Sequence, residues 1–219
     1  MISLSSADMD TRDRILQAAA RVYAQHGFRG ATTRLIAIEA GVNEVSLFRT
    51  FGSKAALFEA MMQTHATSVP MPPLPDLPRD PNNEITVWCT ALLAHMREWR
   101  SIIRKSFGEL EERPEAAVVV CEGPHCAATA LSAYVNRLQA AAMADETADV
   151  ATAVSMFMSS MFGDAICRDV LPDAFPQPVE DAPAKYVNVF LRAVGALGAG
   201  EAAPLRSASD AANRHAVGQ

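Results

Sequence analysis

Several features that would announce an enzyme or a secreted domain are missing here. Cysteine occurs four times in 219 residues (Cys89, Cys121, Cys126, Cys167), without the dense spacing of a disulfide framework. The nearest thing to a ligating or nucleophilic cluster is Cys121, His125 and Cys126. Its C-x3-H-C spacing lacks the paired ligands of a zinc site, no second pair follows, and no third group orients a Cys–His couple. A phosphate-cradling glycine loop and a G-x-S-x-G elbow are both absent. The expectation is therefore no catalytic residues, no cofactor and no metal. A Cys/His metal or redox protein stays as a rival reading, separable by metal content and thiol blocking. No continuous run approaches the roughly 18 apolar residues of a membrane span, so no membrane partner is expected. The opening MISLSSADMD does not resemble a secretory signal, which makes a reduced, cytoplasmic protein the expectation. Aromatics are only 6% of the chain, and no alternating stretch suggests a β-sheet.

What is present is aliphatic. Half of the residues are hydrophobic and a fifth are charged, mostly Ala, Leu, Val and Met against scattered ions. That composition suits helices packed on helices. The net charge of −6 is unevenly spread. Residues 1–65 carry seven Lys/Arg against six Asp/Glu, and the rest carry twelve against nineteen. A near-neutral head on an acidic body fits a small nucleic-acid module attached to a larger domain of another kind.

Periodicity supplies the elements. A first helix is expected from Asp8 or Asp10 to about His26, with Ile15, Leu16, Ala19, Val22 and Tyr23 inward and Gly27 ending it. After Ser53, a helix carries Leu57, Phe58, Met61 and Met62. Six of the thirteen prolines then fall within residues 70–81, which reads as a stiff connector. A long amphipathic helix follows over 82–107, another from about His125 to Met143, then helices over 147–171 and about 181–199. Residues 1–8 and the Ala/Ser-rich 200–219 are expected to be loose.

The stretch Thr32–Phe51, TTRLIAIEAGVNEVSLFRTF, gives the chain its purpose. Thr32 and Thr33 suit a helix start, Ile36, Ala37 and Ala40 recur at helical spacing, and Gly41 stops the helix where a left-handed residue costs little. Val42 fills the corner, and Leu47, Phe48 and Phe51 are expected to give a second helix its buried face. Two short helices around a glycine turn form the helix-turn-helix pattern that reads DNA.

The ordered set Gly27-Phe28, Thr32-Thr33, Ile36-Ala37, Ala40-Gly41-Val42, Leu47-Phe48, Phe51 and Ser53-Lys54, followed by Leu57, resembles the N-terminal domain of the TetR family of transcriptional regulators. The resemblance covers roughly residues 9–60. Three positions depart from the usual pattern: Phe48 stands where tyrosine is common, Thr50 where His or Tyr is frequent, and Val45 where Gly often sits.

The resemblance implies an all-α chain with a helix-turn-helix DNA-binding domain over 9–53, a helical regulatory and dimerisation domain over 54–199, and a disordered tail over 200–219. It implies a transcriptional repressor that binds a palindromic operator in double-stranded DNA as a homodimer and is released by a small, mostly apolar effector. Asn43, Glu44, Ser46 and Arg49 are the candidates for groove contact, with Arg49 the only cation of its helix. Thr32, Thr33, Arg34 and Lys54 are the candidate phosphate clamps. Trp88, Leu92, His95, Trp99, Phe107, Tyr134, Phe157 and Met161 are the candidate effector-pocket residues. Met158, Phe162, Ile166, Val187, Phe190, Leu191 and Val194 are the candidate dimer interface. The alternative is a helical small-molecule-binding or interaction protein that does not bind specific DNA.

Overall fold

A computed structural model of the chain describes residues 10–68 and 71–196. Among them are nine α-helices and no strand. The first four are α1 (Thr11–Gly30), α2 (Thr33–Ala40), α3 (Glu44–Phe51) and α4 (Lys54–Ser68). The next five are α5 (Pro81–Glu98), α6 (Arg100–Gly108), α7 (Ala117–Ala140), α8 (Val150–Cys167) and α9 (Ala182–Ala193). The expected loose ends, 1–8 and 200–219, lie outside the described residues.

Two apolar clusters organise these helices. The first gathers Ile15, Leu16, Val22 and Tyr23 of α1, Ile36 and Ala37 of α2, Leu47 of α3, Leu57, Phe58 and Met61 of α4, and Ile102 of α6. The second gathers Ile85, Trp88, Leu92 and Met96 of α5, Leu131, Tyr134 and Leu138 of α7, Val154, Phe157 and Met161 of α8, and Val187, Phe190 and Leu191 of α9. Helix α4 thus opens inside the N-terminal cluster.

Local chemistry sets most helix starts. The Thr32 hydroxyl accepts from Leu35 N–H at 3.2 Å, Ser53 Oγ from Ala56 N–H at 3.1 Å, and Asp149 from Thr152 N–H at 3.0 Å. Asp80 caps α5 through Asn83 N–H at 3.1 Å, Pro81 takes the first helical position, and Glu84 reaches back to the N–H groups of Arg79 and Asp80. Gly41 closes α2 at φ +64°, where a side chain would be strained.

Three expectations need correction. The helix expected over 82–107 breaks at Trp99 (φ −94°, ψ 8°), because α5 serves the second cluster while Ile102 of α6 must turn into the first. The helix expected from His125 begins at Ala117 and runs through Pro124, which forfeits one rung of its ladder without ending it. The expected stop at Gly27 holds: its backbone leaves the helix at φ +67°, ψ −177°, and a separate helical turn follows to Gly30. Finally, Pro114–Ala140 and Val150–Cys167 are each long and apolar enough to cross a membrane by length and composition, because Ser, Thr and Gly scattered among apolar residues hide this from a count of continuous runs. Val154, Phe157, Met161 and Ala165 of the second are buried in the chain's own core.

Candidate nucleic-acid interface

The two helices of the motif are fixed from both sides. Ile36, Ala37 and Ala40 of α2 and Leu47 of α3 are buried against α1 and α4. The turn between them is tied by Val42 N–H to Ala37 C=O at 3.0 Å. Asn43 begins α3 by accepting from Val45 N–H at 2.9 Å.

The eight residues expected at DNA are all within this head, in different situations. Thr32 is engaged as the cap of α2. Thr33 donates its hydroxyl to the Glu44 carboxylate, so two candidates on different helices hold each other across the turn. Ser46 is half-buried, and its carbonyl accepts the Thr50 hydroxyl at 2.9 Å. Arg34 and Arg49 are exposed. Lys54 folds inward, with its ammonium 4.4 Å from the centre of the Phe28 ring and its proton given to Arg29 C=O at 3.4 Å. Burial, with the Arg113 charge in support, lowers the Lys54 ammonium below the ordinary lysine range.

Beside α3 lies a cleft of about 490 Å³ lined by Arg12, Arg14, Asn43, Ser46, Arg49 and Thr50, among others. Three arginines therefore line one cleft, together with Asp10. Arg12 also sits 5.4 Å over the Phe51 ring, and the buried Nε of Arg14 has no hydrogen-bond partner. Sequence reading did not single out Arg12 and Arg14; the signal for them is their place in the first turn of α1, next in space to α3. Phe48, expected in the buried face of α3, is 44% exposed, and Val45 is 71% exposed. Leu47 fills the core between α2 and α4, and Phe48, one residue on, is carried about 100° round the helix.

In the second cluster the candidate pocket residues divide. Trp88, Leu92, Tyr134, Phe157 and Met161 are buried among each other and their neighbours, with Phe157 and Phe190 ring centres 4.7 Å apart. The Tyr134 hydroxyl donates to Glu84. Trp99 packs against the N-terminal cluster, His95 lies half-buried with its ring 6.4 Å from Trp99, and Phe107 is exposed against Phe162 at 5.0 Å. Burial lowers the His95 imidazole, against the opposing pull of Glu98.

The candidate interface residues also divide. Val187, Phe190, Leu191 and Val194 are at most 3% exposed within the single chain. They cannot present a face to a second copy, because α9 spends that side on α5 and α8. Met158, Phe162 and Ile166 are half-buried against the same core. The apolar groups that α8 and α9 leave open are Met156 (67% exposed) and Val189 (69%).

Three comparisons bear on this geometry. Residues 15–61 match the family model described as bacterial regulatory proteins, tetR family. The chain is 28% identical over 187 residues to the HTH-type transcriptional regulator YvkB of Bacillus subtilis (strain 168), covering 85% of this chain and 98% of that one. Over 67 residues it is 36% identical to the HTH-type transcriptional repressor AcnR of Corynebacterium glutamicum, covering 30% and 36% of the two. Among solved structures, Salmonella enterica GusR superposes with a TM-score of 0.68 at 20% identity, over 88% of this chain and 99% of that one. The helix-turn-helix head held between α1 and α4 is thus the part of the chain that matches the tetR family of bacterial regulatory proteins, and the all-helical fold is shared with GusR over most of its length.

Proposed function

We propose that the protein is a homodimeric repressor of transcription that binds a palindromic operator and leaves it when a small, mostly apolar effector enters the helical body. The observation that carries the DNA half of this reading is the edge of α3. Arg49 is exposed there, and it borders one groove with Arg12 and Arg14. Guanidinium groups bind phosphate oxygens or the O6/N7 edge of guanine in fork geometry. One eight-residue helix offers few contacts, so a dimer with two heads is needed for useful affinity, and two-fold symmetry then imposes a palindrome. The exposed Met156 and Val189 support a second copy seated on α8 and α9. Repression by occlusion is supported by the repressor name of the AcnR relative. In this reading residues 9–53 form the head, 54–199 the regulatory and dimerisation body, and the cytoplasm is where the two meet DNA. The effector is taken where His95, Trp99 and Phe107 are only partly buried.

The test is selection of bound duplexes from random DNA by the full chain, repeated with Arg49→Ala. A palindrome is expected for the parent, and affinity at least tenfold weaker for the variant, the cost of one lost charge-assisted contact. Unselective binding by both proteins would favour the rival, a helical interaction protein that keeps the motif as a packing unit.

A further inference from the structure

The outer edge of α3 is more apolar than a water-facing helix requires. Val45 and Phe48 are 71% and 44% exposed. Being three residues apart they share a face, separated along the axis by about 4.5 Å, close to the roughly 3.4 Å step between base pairs. Three polar side chains around them make hydrogen bonds within the protein. Glu44 accepts from Thr33, Asn43 accepts from Val45 N–H, and the Thr50 hydroxyl is given to Ser46 C=O. Arg49 stands beside Phe48 and one turn after Val45, and it stays exposed.

We propose that α3 reads sequence chiefly by apolar contact, with Val45 and Phe48 seated on the 5-methyl groups of thymines in neighbouring base pairs and Arg49 anchoring the helix in the groove. The inference rests on the DNA-binding reading above. Duplex DNA is the occupant because the apolar pair is set among cations. Arg12, Arg14 and Arg49 line the adjoining cleft, and Arg34 is exposed on α2. Residues 1–65 carry seven Lys/Arg against six Asp/Glu in a chain whose net charge is −6. An apolar protein partner would meet the same cations with no phosphates to neutralise them. In the major groove thymine alone offers a methyl, and an apolar side chain gains by covering it.

Uracil isolates that methyl, since it keeps the O4 acceptor and base pairing of thymine. Duplexes recovered by selection with the full chain are resynthesised with each dT singly replaced by dU, and affinities are measured by fluorescence anisotropy. One or two positions per half-site are expected to lose about fourfold in affinity on replacement, the effect of uncovering one methyl-sized group. Val45→Ala is expected to abolish the dT/dU difference at one such position and Phe48→Ala at another, with duplex binding retained. The dU series needs no variant, so it reads out whatever the substitutions do to folding. The proposal is overturned if tight binding is indifferent to dU at every position, or if the dT/dU difference persists unchanged in both variants. If no duplex is bound selectively by the parent, the DNA-operator reading falls and this inference falls with it.

Discussion

Glu109, the residue that closes α6, accepts a 2.7 Å hydrogen bond from the backbone N–H of Phe28. Its other oxygen accepts the Tyr23 hydroxyl at 2.9 Å. The positive φ of Gly27 interrupts α1 at this point, and a carboxylate from 81 residues away takes the N–H of the next residue. Burial, with the Glu109 charge adding to it, pushes the Tyr23 phenol up to about 12, so it stays a donor. Arg113, four residues past Glu109, lies 3.3 Å over the Phe28 ring. The end of α6 thus grips the base of the DNA-binding head.

Removing the carboxylate exposes what this grip contributes. Glu109→Ala is expected to lower stability by about 2–3 kcal/mol, the range for hydrogen bonds to a charged group together with an N–H left unpaired. Glu109→Gln should cost less, since its amide oxygen can still accept from Phe28. Urea denaturation of the three proteins side by side measures both differences.

Gly27 is constrained twice. Its φ of +67° disfavours any side chain, and a Cβ there would lie 2.7 Å from Glu109 Oε1. Gly27→Ala is expected to cost more than about 1–2 kcal/mol, the penalty for the left-handed backbone alone. In a Glu109→Ala background the steric part disappears, so the Gly27→Ala penalty should shrink toward that backbone value. A double-mutant cycle reads the coupling directly.

Asp164 on α8 is fully buried and receives Arg97 of α5 at 2.8 Å, Arg168 at 2.7 Å and the Tyr186 hydroxyl of α9 at 2.9 Å. Burial alone would raise its carboxyl. The bonds from Arg168, Arg97 and Tyr186 outweigh that and hold it below the usual carboxylate range. A carboxyl depressed by folding contributes stability that is present above the unfolded value, about 3.9 for Asp, and lost as pH falls through the lower native value. Stability is therefore expected to fall below about pH 4. Asp164→Asn should cost about 3–5 kcal/mol at neutral pH, because it leaves two guanidinium groups uncompensated, and should flatten the acid limb. Denaturation curves across pH for both proteins check the sign.

The four thiols are free and differ in exposure. Cys121 and Cys126 are exposed, Cys167 is intermediate, and Cys89 is buried. Burial pushes the Cys89 thiol up to about 12, with Arg97 opposing and Asp164 reinforcing the shift. Titration with a thiol reagent should show two fast groups and a slower third, with Cys89 reacting only in denaturant.

The parts of this fold that were legible in the sequence are those decided within a few residues. Thr32, Asn43 and Ser53 cap helices through N–H groups two or three positions away, and Gly41 needs only its own backbone freedom. Partners distant in sequence were not legible. Thr33 and Glu44 each suit a phosphate or a base, and only the folded turn shows that they satisfy each other. The periodicity of Val187, Phe190, Leu191 and Val194 correctly marked a buried face, but periodicity does not say whose core covers it. Phe48 misled for the same reason: an aromatic in a helix registers as core unless its neighbours in space have already filled that core with Leu47.

Ile102 and Ile103 are consecutive on α6, yet one is buried in the N-terminal cluster and the other packs on the second. A helix of nine residues that holds one tooth in each core cannot roll about its axis to ease one without disturbing the other. The head and body are therefore meshed, and each constrains the packing of the other. Heat or denaturant should meet one cooperative unit, with fluorescence of the two tryptophans, one in each cluster's packing, losing native character at the same midpoint.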